Sequence, residues 1–131
     1  MSENKPMTII EFLEARIAED EKFARAASHQ KVAGPFHGNW RHDSLHLSGM
    51  EREDAVHIAR NDPARVLAEC AAKRAIIADH ADMVEAFDSL GQLFPGGLMS
   101  AEVDAPWRTK TLYALAAVYA DHPDYQQEWA L

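Results

Sequence analysis

The sequence predicts a mainly α fold: a compact bundle of about four or five helices in a single domain over residues 1–131, with room for one short β-hairpin around residues 39–47. Three observations carry this prediction. Apolar residues recur every three or four positions through most of the chain, helix caps and helix breakers separate those runs, and strand-like alternation is confined to residues 39–47. A chain of 131 residues buries roughly two-thirds of the surface that its unfolded form exposes, so no cofactor or disulfide is needed to explain folding.

The first helix is announced by Thr8-Ile-Ile-Glu11, a capping box in which the threonine hydroxyl accepts the backbone N–H three residues on. Ile9, Phe12, Leu13, Ile17 and Phe23 then give an apolar face to a helix over residues 9–28. From Val32 to Ser48 the period is lost, and Gly34-Pro35 and Gly38 break the chain. The hairpin would pair Asn39-Trp40-Arg41 with Leu45-His46-Leu47 across His42-Asp43-Ser44. Such a ribbon is marginal unless helices cover it.

A second capping box, Ser48-Gly-Met-Glu51, predicts a short helix from about residue 50 to 60. Asp62 and Pro63 end that helix and start the next, because proline lacks the N–H that a helix interior needs and fits the first helical position behind an aspartate cap. The next run is long. Val66, Leu67, Cys70, Ile76, Ile77, Met83, Val84, Phe87 and Leu90 form one apolar stripe over residues 63–90, as a single helix or as two joined by a bend at His80-Ala-Asp82, with Gly91 as its stop.

Pro95-Gly96-Gly97 marks a loop, and Asp104 ahead of Pro106 caps a further helix running from Trp107 to about residue 120. Leu112, Leu115, Val118 and Tyr119 make its apolar face, Asp121-His122-Pro123-Asp124 stops it, and Tyr125 and Trp129 anchor a last turn on the core. There is no internal repeat, low-complexity tract or linker rich enough in Gly, Ser or Pro to divide the chain.

The charge excludes more than it identifies. With 21 acidic and 13 basic side chains the formal charge is -8, so a phosphate backbone is repelled and direct nucleic-acid binding is not expected. The one cysteine, Cys70, allows neither an internal disulfide nor a cysteine metal cluster, which suits a reducing cytoplasm. No apolar run approaches the length of about 20 residues that spans a bilayer, and the N-terminus does not resemble a secretory signal. The expectation is a cytoplasmic protein that binds no membrane.

Candidate chemistry is sparse. His42 and His46, four apart among seven histidines, have metal-friendly spacing but lack the glutamate of the helical zinc-protease motif, so no metal site is expected. His57 and His80 fall on helices where a lone histidine is usually a core-edge residue, and His122 sits where a helix end needs a cap or a dipole partner. Ser44 and Ser48 lack a nucleophile elbow, Cys70 falls on the apolar stripe, and Pro95-Gly96-Gly97 lacks the lysine of a phosphate loop. His57, Arg60 and Arg65 flank the Asp62-Pro63 junction without being required by its geometry, and Trp40 stands in a polar segment as a candidate partner contact, ahead of Leu98-Met99.

Three stretches, "MTIIEFLEARIAEDEKFARAA", "HIARNDPARVLAECAAKRAIIADH" and "YADHPDYQQEWAL", resemble an uncharacterised family of small proteins from actinobacteria and their phages, a domain of unknown function. The resemblance covers most of the chain and implies a setting rather than a mechanism. Its members often carry a tryptophan and a small hairpin before the His-Ile-Ala-Arg motif, and some carry cysteines suggestive of zinc before the last helix. No cysteine lies between Gly91 and Trp107 here, which argues against carrying that metal over.

The expected function is therefore that of a non-enzymatic, acidic interaction protein, such as a phage accessory factor that binds a host protein, with a homo-oligomer also open. Two alternatives differ in kind. One is a metal-dependent protein or small hydrolase using His57, His80 or His122; the other is an acidic DNA mimic.

Overall fold

A computed structural model describes residues 5–28, 40–42, 45, 49–93 and 107–131, with residues 107–109 described by their backbone alone. The described chain is mainly helical and contains no strand. In order it forms α1 (Ile9–Ser28), α2 (Arg52–Arg60), α3 (Pro63–Leu93), α4 (Trp107–Ala117) and a 3-10 turn, Gln127–Trp129.

Two of the helix starts have a local cap. Thr8 Oγ1 accepts the Glu11 amide at 3.2 Å, the first half of the capping box read from the sequence. At α3, Asp62 Oδ1 accepts the Arg65 amide at 2.9 Å, so aspartate caps and Pro63 takes the first helical position, as expected. The expected box at Ser48 to Glu51 does not set the start of α2. Glu51 is the N-cap and makes no side-chain cap bond. Gly49 instead has φ +100°, and the Met50 amide reaches back to the Leu45 carbonyl at 3.3 Å. A left-handed glycine under a six-to-one bond is how a helical turn is closed, and Met50 packs on Leu45 as the apolar contact that accompanies such closures. Gly49 thus ends what lies before it.

The hairpin expected around residues 39–47 is not what its described residues form. His42 and Leu45 are helical, and the Leu45 amide donates to the Arg41 carbonyl at 3.2 Å, a bond across four residues. Asn39, Asp43, Ser44, His46 and Leu47 lie outside the described residues, as does the loop expected from Leu93 to Ala105 beyond Leu93 itself, which is helical, with Leu98-Met99 and the Asp104 cap.

α3 is a single helix of 31 residues, with no break at His80 to Asp82 and no stop at Gly91. Gly91 is helical and a Cβ added there meets nothing within 4 Å. Gly91→Ala should therefore stabilise the protein by about 0.5 kcal/mol, since glycine in a helix costs roughly 0.5–1 kcal/mol relative to alanine and the end of a helix feels less of it. A thermal melt followed by circular dichroism checks this; a lower melting temperature would contradict it. α4 ends at Ala117, before Val118, and turns occupy residues 118–124.

The chain divides into two compact units, with the divisions falling inside α1 and α3: one comprises Met1–Arg16 and Lys73–Leu131, the other Ile17–Ala72. The first buries Phe12, Leu13, Ile77, His80, Leu112, Ala116 and Trp129. The second buries Ile17, Ala24, Leu45, Ala55 and Cys70. Among the described residues no helix is long and apolar enough to cross a membrane.

Several residues assigned to apolar faces are exposed. Phe23 on α1 and Val118 after α4 face solvent, and the broad stripe expected on α3 separates into two. Cys70 and Ile77 are buried and Val66, Leu67, Val84 and Phe87 half-buried, whereas Ile76, Met83 and Leu90 are exposed. Each of these three lies about 100° around the helix from its buried or half-buried successor.

Candidate functional site

The junction between α2 and α3 gathers the most polar candidates. At the end of α2, the His57 carbonyl accepts Asn61 Nδ2 at 2.8 Å, the Ile58 carbonyl accepts the Asn61 amide at 3.1 Å, and the Arg60 carbonyl accepts Arg65 Nη1 at 3.1 Å. Arg65 Nε also donates to Glu69 Oε1 at 2.9 Å. The free carbonyls that every helix end presents are thus met by two side chains and one backbone amide from the next few residues. Asp62 has a second task, because its Oδ2 accepts the Trp40 amide at 3.1 Å.

These bonds draw on the backbone of His57 and Arg60 and on the side chain of Arg65. His57 and Arg60 contribute their carbonyls while their side chains are exposed, and Arg65 is the only one whose side chain works within the junction. Trp40, expected as a partner contact, is half-buried and packs with Met50, Ile58 and Ala59 against Leu45 and Ala55. Its indole Nε1 is buried and finds no acceptor among the described residues.

His122 belongs to an aromatic cluster around Phe12, which is fully buried. The Phe12 ring meets Tyr119, His122, Tyr125 and Trp129 at centroid distances of 6.3, 5.7, 6.1 and 5.1 Å, the first three edge-to-face. Lys73 Nζ donates to the Tyr119 hydroxyl at 3.0 Å, and Gln126 Nε2 donates to the Met7 carbonyl at 2.8 Å, tying the C-terminal turn to the segment before α1. His122 Nδ1 accepts the Asp124 amide at 3.1 Å, while Nε2 faces the Arg16 guanidinium. A neutral imidazole offers one acceptor nitrogen, so the ring satisfies one of these two donors at a time. Its two nitrogens thus face donors from the C-terminal turn and from α1, and neither bond caps the end of α4 at Ala117.

His80 differs from the others. Only 9% of the residue is exposed, yet its ring makes no hydrogen bond to any described residue. It lines a concavity of about 390 Å³ together with Ala75, Ile76, Asp79, Met83 and Thr111. Along the open side of α3 run Ile76, Met83 and Leu90 at seven-residue spacing, with Asp79, Ala86 and Leu93 offset by three. Buried Cys70, by contrast, has its thiol directed at the Ile17 carbonyl at 3.9 Å, in the core. Among the described residues no group of three or more His, Cys, Asp or Glu side chains is arranged to hold a metal ion.

Residues 6–131 match a family described as a family of unknown function, DUF6221. The chain belongs to that family. No curated protein and no solved structure matches it.

Within this DUF6221 member, sequence reasoning singled out His80 but missed its surroundings. The signal was present: Ile76, Met83 and Leu90 repeat every seven residues, and Asp79, Ala86 and Leu93 do the same. Pooling them with Ile77, Val84 and Phe87 into one stripe concealed a second face.

Proposed function

We propose that this chain is a non-enzymatic interaction protein that binds another protein through the open face of α3. The observation supporting the reading is a row of large apolar side chains left in solvent on one helix: Ile76 at 38%, Met83 at 40%, Leu90 at 50% and Leu93 at 71% exposure. Scattered exposed apolar residues are ordinary, but a row at heptad spacing is the pattern by which one helix meets another. Resemblance to proteins of actinobacteria and their phages supports the setting proposed with it, an accessory factor acting on a host protein in the bacterial cytoplasm.

A photo-crosslinking amino acid placed at Met83, and at exposed Arg52 as a control, tests this in cells that make the protein. A discrete adduct with another protein is expected from position 83 and not from 52. If irradiation yields no such adduct at 83, the interaction reading is wrong.

A further inference from the structure

The open face of α3 carries acid as well as apolar groups: Asp79 stands in the exposed row and Asp82 beside it, and from Ala75 to Leu93 the helix has no lysine or arginine. Asp79, Asp82 and Glu85 are exposed and make no ion pair or hydrogen bond with a described residue. Asp79 stands inside the apolar row, between Ile76 and Met83, where a carboxylate facing another apolar helix would lose its water with nothing in return.

Beside it is His80, nine-tenths buried and without a hydrogen-bond partner among the described residues, opening onto the concavity that Asp79 and Thr111 also line. The volume of about 390 Å³ is within the range of roughly 300–1,000 Å³ that small-ligand sites occupy. A carboxylate, an imidazole with an acceptor nitrogen and a hydroxyl around an apolar wall suit one kind of group: a cation that brings several N–H donors on an aliphatic stem.

Taking the Proposed function as its basis, we infer that the partner presents a basic amphipathic helix, which lies along Ile76 to Leu93 and places one lysine or arginine in the concavity at Asp79 and His80. The apolar row receives the partner's own heptad residues, and Asp82 meets a basic residue on its flank. A second copy of this chain is a poor occupant, since it would set one acidic face against another. The face spans 18 residues, or about 27 Å of helix, so a partner helix of about five turns covers it.

Three synthetic peptides of about 20 residues test this against the intact protein by calorimetry and by amide chemical shifts. The first carries leucine at heptad spacing with lysine and arginine on the flanks, the second the same leucines with glutamate flanks, and the third the first composition scrambled so that no heptad remains. The first should bind with shifts confined to Ile76–Leu93 and Thr111, and should weaken as salt is raised. Asp79→Asn, an exposed change that leaves the core untouched, should weaken it about tenfold, the equivalent of about 1.4 kcal/mol. His80→Phe should do the same by filling the concavity and removing the acceptor.

The inference fails if the glutamate-flanked or scrambled peptide binds as tightly, if the shifts lie elsewhere, if Asp79→Asn has no effect, or if the basic peptide does not bind. A protein crosslinked at Met83 alongside no affinity for the basic peptide would retain the interaction reading and overturn this account of its partner.

Discussion

Phe12→Ala should destabilise the protein by about 3–5 kcal/mol, the range measured for removing a fully buried aromatic ring. That is a large fraction of the roughly 5–15 kcal/mol that holds a typical domain together. Phe12 is 0% exposed and is the ring on which Tyr119, His122, Tyr125 and Trp129 converge, with the Arg16 guanidinium 5.8 Å from its centroid. Losing it opens a cavity and also removes ring contacts worth about 0.5–1.5 kcal/mol each beyond their area. These contributions overlap, so they do not simply add.

The loss should have a local signature too. Within this unit the C-terminal turn is held by Trp129, which is buried, and by the Gln126 bond to the Met7 carbonyl. With Phe12 gone, amides from Tyr119 to Trp129 should exchange with solvent well before those of α3. Phe12→Leu, which keeps much of the apolar volume, should cost only about 1–2 kcal/mol. Denaturant unfolding monitored by near-ultraviolet circular dichroism reads the global term and hydrogen exchange the local one. A cost below about 1 kcal/mol for Phe12→Ala would mean that the cluster does not carry the turn.

What the sequence disclosed follows the range over which each signal acts. Thr8 at the start of α1 and Asp62-Pro63 at the start of α3 were legible because a cap is a contact between residues three apart. Ser48-Gly-Met-Glu51 has the same lettering as Thr8-Ile-Ile-Glu11 but serves a different end, because Gly49 at φ +100° closes the turn before it and leaves Glu51 to start α2. Lettering alone does not say which neighbour a glycine serves. Gly91 misled in the opposite direction: helical bonding carries the chain past it to Leu93.

The candidate site was legible in its members and not in its arrangement. Periodicity reports that a residue is apolar and on which side of a helix it lies, but not how wide a stripe the rest of the protein covers. Ile76 and Ile77 are equally apolar, and only packing makes one 38% exposed and the other 7%. His80 was recognised as a core-edge residue, whereas its lack of a hydrogen-bond partner among the described residues, and the concavity it shares with Asp79 and Thr111, depend on α4. Such contacts over 30 residues leave no spacing rule in the chain.

Asp62→Ala should cost about 2–3 kcal/mol. One carboxylate serves two amides, Arg65 at 2.9 Å on Oδ1 and Trp40 at 3.1 Å on Oδ2. Losing an N-cap costs about 0.5–2 kcal/mol, and leaving the partly buried Trp40 amide without an acceptor adds about 1 kcal/mol or more. Asp62→Ser should be milder, because its hydroxyl can still cap α3 but is too short to serve both amides; hydrogen exchange should then quicken at Trp40 and not at Arg65. Asp62→Asn keeps one oxygen for the cap and turns an N–H₂ toward the Trp40 amide, donor against donor, so it should behave like serine or worse. The order Ala, Asn, Ser of decreasing damage is the signature of a residue retained for its two acceptors. Were all three variants as stable as the parent, the aspartate would be dispensable to the junction.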